Sequence, residues 1–135
     1  MQINVSTQQG RVPITILQLN GDLDASNYIE PIQQAQELYT GGARDLIVDL
    51  GNVPYISSSG LMAIHMLALI FGGRQMTGTQ SRPSFHAVDP KRDQSIREHV
   101  KLLNPQSQVD QVLEMVGLKM FFQIYKDLDS AVKSF

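Results

Sequence analysis

The 135-residue chain has no cysteine, which excludes disulfides and thiol chemistry and makes the cytoplasm the expected location. A membrane-length apolar run is also missing. The longest, "LMAIHMLALIF" from Leu61 to Phe71, covers eleven residues with His65 inside it, whereas a spanning helix needs about 18. The opening "MQINVSTQQG" carries neither a basic region nor an apolar signal core, so no export is expected. Charge of one sign is not in excess. Eleven Lys and Arg against thirteen Asp and Glu give a net charge of −2, and nucleic acid finds no broad basic footprint. Basic residues are denser only between 72 and 98, where Arg74, Arg82, Lys91, Arg92 and Arg97 accompany Asp89, Asp93 and Glu98. A solvated loop accounts for that mixture.

Several catalytic patterns are missing too. There is no Gly-Lys-Ser/Thr for a phosphate loop and no G-x-S-x-G for a hydrolase nucleophile. His65, His86 and His99 have no metal-ligand spacing, and His65 inside an apolar helix reads as a core residue. Met62 and Met66 read as core filler, and no role is assigned to Met76. No internal repeat is visible. These absences point away from an enzyme and from a metal or organic cofactor.

What is present is ordinary for a globular domain: 42% apolar and 18% charged residues, enough for a single core. Strands are expected at "INV" (3 to 5), "ITILQL" (14 to 19), "LIVDL" (46 to 50), "VKLLNP" (100 to 105) and "MFFQIY" (120 to 125). "LIVDL" between Gly41-Gly42 and Gly51-Asn52 has the profile of a strand covered on both faces. Helices fall between them. Ile29, Ile32, Ala35 (or Gln36) and Tyr39 form a stripe closed by Gly41-Gly42, with Asn27 and Glu30 placed as a capping box. Leu61 to Ile70 is apolar on nearly every side. Val109, Val112, Leu113 and Val116 lead to Gly117, and Leu128, Ala131, Val132 and Phe135 follow a cap at Asp127 or Asp129. Residues 72–98 read as a long flexible surface loop, with a short helix possible in principle after Pro90. The order β-β-α-β-α-β-α-β-α predicts one α/β domain over 1–135, with a mixed sheet of four to five strands and about four helices.

Between "LIVDLGNVPYI" and "GLMAIHMLALI" stand Ser57, Ser58 and Ser59. They are placed where a strand's carboxyl end turns into a helix, the edge at which open α/β sheets meet ligands and partners. A helix start favours an anion, and serine is a preferred cap. Gly60 leaves the first turn bare. The plain reading is one capping serine in a polar turn. Asp22 and Asp24 read either as a carboxylate pair without a third ligand or as turn and cap residues.

Taken together, "LNGDLDASN", "DLGNVPYISSSGLMAI" and "LLNPQSQVDQVLEMVGL" resemble the STAS domain of bacterial anti-sigma factor antagonists. The family's Gly-Glu-Leu-Asp turn is matched by Gly21, Asp22, Leu23 and Asp24. Its Asp-Ser-Ser/Thr-Gly-Leu segment is matched by Ser57, Ser58, Ser59, Gly60 and Leu61, and its third helix by Val112 to Leu118. Ser57 stands where the family usually has aspartate, and the 72–98 loop is longer than the family's turn. The resemblance implies an anti-sigma factor that is also a serine kinase as partner, phosphorylation at Ser58 that abolishes binding, and a phosphatase that restores it. It implies a partner-binding surface of Asp22, Asp24, Ser57, Ser58, Ser59, Gly60 and Leu61, with the outward face of the following helix. The alternative is an unphosphorylated STAS module that binds a small ligand or docks in a transporter or signalling assembly.

Overall fold

The computed structural model describes residues 1–72, 99–120 and 122–135. A five-stranded sheet runs in sequential order, β1 (Gln2–Gln9), β2 (Pro13–Asn20), β3 (Leu46–Asn52), β4 (Val100–Leu103) and β5 (Gln123–Tyr125). β1 pairs antiparallel with β2, and the remaining neighbours are parallel. Each parallel pair needs a crossover. Helices α1 (Ile29–Thr40) and α3 (Ser107–Met115) lie in two of these connections, and α2 (Ser58–Phe71) leaves β3 in the third. Right-handed crossovers that all step in one direction put their helices on the same face of a sheet. Residues of α1, α2 and α3, namely Ala35, Ile64, Leu67, Val109 and Leu113, accordingly share a single core with Leu17, Val48 and Leu102. The other face carries α4 (Leu128–Lys133), whose Ala131 and Val132 cover Ile14, Ile16, Ile47 and Leu103.

The α/β class, the mixed sheet and the element order agree with the sequence expectation. Four local expectations are corrected. β1 extends to Gln9, because its register with β2 continues through polar Ser6 to Gln9. The α1 capping box does not form. The helix starts at Ile29, Tyr28 occupies the cap position with no side-chain bond, and the Asn27 side chain is used elsewhere. Ile29 is half exposed, and Pro31 and Ala35 are the buried residues of α1. "MFFQIY" is not one strand: Leu118–Met120 form a 3-10 turn and only Gln123–Tyr125 is strand. Leu118 and Phe122 are buried while Met120 is exposed, a four-residue spacing that a turn satisfies and an alternating strand does not.

Gly117 (φ +80) follows α3 and donates to the Glu114 carbonyl at 3.1 Å, ending the helix in the left-handed conformation. Of the two cap candidates for α4, Asp127 is the one used. Its carboxylate accepts from the Ser130 N–H and hydroxyl, both at 2.9 Å. Those bonds, the backbone one first, hold Asp127 below its ordinary 3.8. The loop expected at 72–98, with the segment after Pro90, His86, Met76 and the cluster of basic residues, lies outside the described residues apart from Gly72, which ends α2.

Candidate functional site

β3 ends at Asn52, and the chain passes through buried Val53 and exposed Tyr55 to buried Ile56. There it meets the segment that follows β2. Leu23 N–H donates to the Tyr55 carbonyl at 3.0 Å, and Ser57 N–H donates to the Leu23 carbonyl at 2.9 Å. This short parallel bridge ties the Asp22–Asp24 turn to the head of α2. The two motifs, far apart in sequence, form one surface at the carboxyl ends of β2 and β3.

The three serines have different roles. Ser57 has extended backbone (φ −89, ψ 176) and its hydroxyl accepts from Gly60 N–H at 3.2 Å. It is the helix cap. Ser58, the first helical residue, is exposed, and Ser59 is half-buried. Gly60 and Leu61, expected on the partner surface, are buried. Gly60 faces backbone: a β-carbon there would lie 2.5 Å from the Leu23 carbonyl oxygen. Its role is to let α2 sit on the Leu23 segment. The expected outward face of α2 is closed as well. From Gly60 to Phe71 every residue is buried except Met62 and Leu69, which are half-buried, so exposure at this end is confined to the turn.

Asp24 is half-buried and Asp22 exposed. The Asp24 carboxylate accepts from the Ser26 hydroxyl at 2.5 Å and from Ser26 N–H at 2.9 Å. These bonds, the hydroxyl's first, hold it below its ordinary 3.8. The Asn27 side chain accepts from Asp24 N–H at 3.0 Å and donates to the Asp22 carbonyl at 2.8 Å. Asn27 therefore closes this loop, which is why it does not cap α1. Asp24 is committed to a turn of the kind Asp favours, and the carboxylate-pair reading of Asp22 and Asp24 has no support. Among the described residues no group of three or more His, Cys, Asp or Glu could hold a metal ion.

The electrostatics at the serines are simple. α2 has fourteen residues, no acidic residue in its first turn and a neutral cap, so nothing on the helix itself offsets the positive end of its dipole. Tyr55, 47% exposed, stands two residues before Ser57 and was not singled out from the sequence. An aromatic after a proline in a strand-to-helix turn was the available signal. His65 is buried in α2, and Met66 is buried with Met62 half-buried beside it. His99 lies at the other end of the sheet, where its Nδ1 is 2.9 Å from Asp45 Oδ1.

Residues 3–71, half of the chain, match the STAS domain family model. The chain therefore belongs to the STAS domain family. No curated protein sequence matches it significantly. Among solved structures, a proposed anti-sigma factor antagonist from Thermotoga maritima is similar at 17% identity over 96% of this chain and 90% of that one, with a TM-score of 0.66. An anti-sigma factor antagonist from Mycobacterium paratuberculosis is 14% identical over 98% and 95%, with a TM-score of 0.62. The Bacillus cell fate determinant SpoIIAA in its phosphorylated form is 13% identical over 97% and 96%, with a TM-score of 0.57. These likenesses establish a shared fold. No helix among the described residues is long and apolar enough to cross a membrane.

Proposed function

We propose that this protein is a non-enzymatic, cytoplasmic anti-sigma factor antagonist that binds an anti-sigma factor with serine kinase activity, and that phosphorylation of Ser58 switches the binding off. A phosphatase then resets it, and the output is transcription regulation. The observation that carries the reading is the division of labour in the turn. Ser57 is occupied as the cap, Ser59 is half-buried, and Ser58 alone is exposed. A kinase needs an accessible hydroxyl and finds it there.

The switch follows from charge. A phosphate brings about −1.5 to −2 charges to a helix start that holds no carboxylate in its first turn. The protein's own helix dipole accommodates that charge. A partner that has desolvated a neutral Ser58 beside Asp22, Asp24 and Tyr55 cannot, and like-charge contacts at an interface cost several kcal/mol. Family membership and the fold shared with named antagonists support the partner class. The solved phosphorylated form of SpoIIAA supports the modification.

The test is to incubate the protein with a kinase-type anti-sigma factor encoded beside it and ATP, then to read intact mass and binding. One phosphate is expected on the parent and none on Ser58→Ala, with binding lost only in the phosphorylated parent. A second reading, an unphosphorylated STAS module that binds a small ligand or docks in a transporter or signalling assembly, is favoured by Ser57 standing where the family usually has aspartate. The absence of both phosphate and kinase binding would select it.

A further inference from the structure

The two edges of the sheet are unlike each other. β5 is three residues long and runs directly into Lys126 and Asp127. β1 is eight residues long and pairs with β2 along its whole length with no irregularity. Natural edge strands are guarded by charge, proline, a bulge or short length, because an open row of N–H and C=O groups recruits another strand. β1, "QINVSTQQ", has no charged residue and no proline. Nothing among the described residues pairs with its outer side.

The direction of its free groups is fixed by its neighbour. Thr15 N–H bonds to the Asp45 carbonyl on the β3 side at 2.9 Å, so odd-numbered residues of β2 face β3 and even-numbered ones face β1. Ile14, Ile16 and Gln18 are in register with Gln8, Ser6 and Asn4. Those even residues of β1 therefore bond to β2, and the backbone groups of Ile3, Val5 and Thr7 point out of the sheet. Val5 also leaves its side chain 42% exposed at this rim.

We propose that β1 is a self-association edge, pairing antiparallel with β1 of a second copy about a two-fold axis at Val5. This register sets Val5 against Val5 and Ile3 against Thr7, aligning the outward N–H and C=O groups of both strands. Asn4 then opposes Ser6, so no like charges meet. The exposed Val5 side chains cover one another. The contact is isologous and closes at two copies, since the opposite edge of each sheet is too short to continue it. β2 separates this edge from β3, the strand that leads to the serine turn. A single strand pair is smaller than a standard interface, and the dimer is accordingly concentration-dependent.

The test uses sedimentation velocity and cross-linking of the full chain. The mass average is expected to rise from one chain toward two between micromolar and near-millimolar concentration. Val5→Pro removes an outward donor without touching the bonds to β2, and is expected to weaken association by about tenfold or more with an unchanged circular dichroism spectrum. The chain has no cysteine of its own, so Val5→Cys reports the axis directly. It is expected to form an intermolecular disulfide on oxidation, whereas Ser6→Cys, facing Asn4, is not. A single-chain mass at every concentration with no Val5→Cys dimer overturns the proposal. Cross-linking through Ser6→Cys as efficient as through Val5→Cys overturns it too. If Val5→Pro misfolds, the two cysteine variants decide alone.

Discussion

Gly60→Ala tests the seam that joins the two halves of the candidate site. A β-carbon at this position would lie 2.5 Å from the Leu23 carbonyl oxygen, 2.7 Å from Ile56 Cγ1 and 3.0 Å from Leu23 Cγ. The nearest of these is backbone, which cannot rotate aside. Leu23 is also held by its bonds to Tyr55 and Ser57. The head of α2 must lift, or the Leu23 segment must move away, and either displacement weakens those two bonds. Overpacking of this kind costs about 1–3 kcal/mol, and each weakened hydrogen bond adds up to about 1 kcal/mol. Against this, alanine gains at most about 1 kcal/mol over glycine inside a helix, and less in the first turn. The net expectation is a loss of about 1–3 kcal/mol. With a urea slope of about 1–3 kcal/mol per molar, the unfolding midpoint falls by roughly 1 M. Hydrogen exchange locates the effect: the amides of Leu23 and Ser57 should lose protection before those in the middle of α2. A Gly60→Ala protein as stable as its parent, with both amides still protected, would refute the close-approach argument.

Ser57→Ala removes the only side-chain cap of α2 and should cost about 1 kcal/mol, within the roughly 0.5–2 seen for lost caps. Thermal unfolding measures it, and an unchanged melting temperature would mean that Ser57 is not the cap. Acid should act through Asp24 and Asp127, whose folded carboxyls lie below their ordinary 3.8. A depressed folded value means the unfolded chain takes up the proton first, so their stabilisation is complete above about 3.8 and is lost as pH falls through the lower folded values. Asp24→Asn and Asp127→Asn should therefore flatten the loss of stability below pH 4 in acid titrations, and slopes identical to the parent's would contradict the assignment.

The layers were legible in the sequence where burial fixes the period. "LIVDL", a near-continuous apolar run between glycine-containing turns, reads as a strand covered on both faces, and Leu46, Ile47, Val48 and Leu50 are indeed fully buried. The serine turn was legible because a strand and a buried helix flank it closely. What escaped depended on distant partners. Asn27 sits at a plausible cap position, yet its side chain has better-placed partners at Asp22 and Asp24. Ser6 to Gln9 carry no apolar alternation, and only pairing with β2 makes them strand. α2 was expected to show an outward face, but its sequence is apolar all round and the fold buries it all round. The bridge from Leu23 to Ile56 has no sequence signature, although Gly60 is its trace.

The cap bond of Ser57 explains why a serine can stand where the family usually has aspartate. A helix cap requires an acceptor oxygen, and the Ser57 hydroxyl supplies one to Gly60 N–H. The local fold is therefore served by either residue. The charge is what differs. An aspartate at the cap would partly offset the helix dipole and would oppose a phosphate on the next residue, whereas serine leaves the first turn without any carboxylate. Within the proposed switch, the exchange eases the modified state of the free protein and removes a charge that a partner or kinase would otherwise read. The substitution thus acts on electrostatics at Ser58, while Gly60 and Leu23 keep the geometry of the turn.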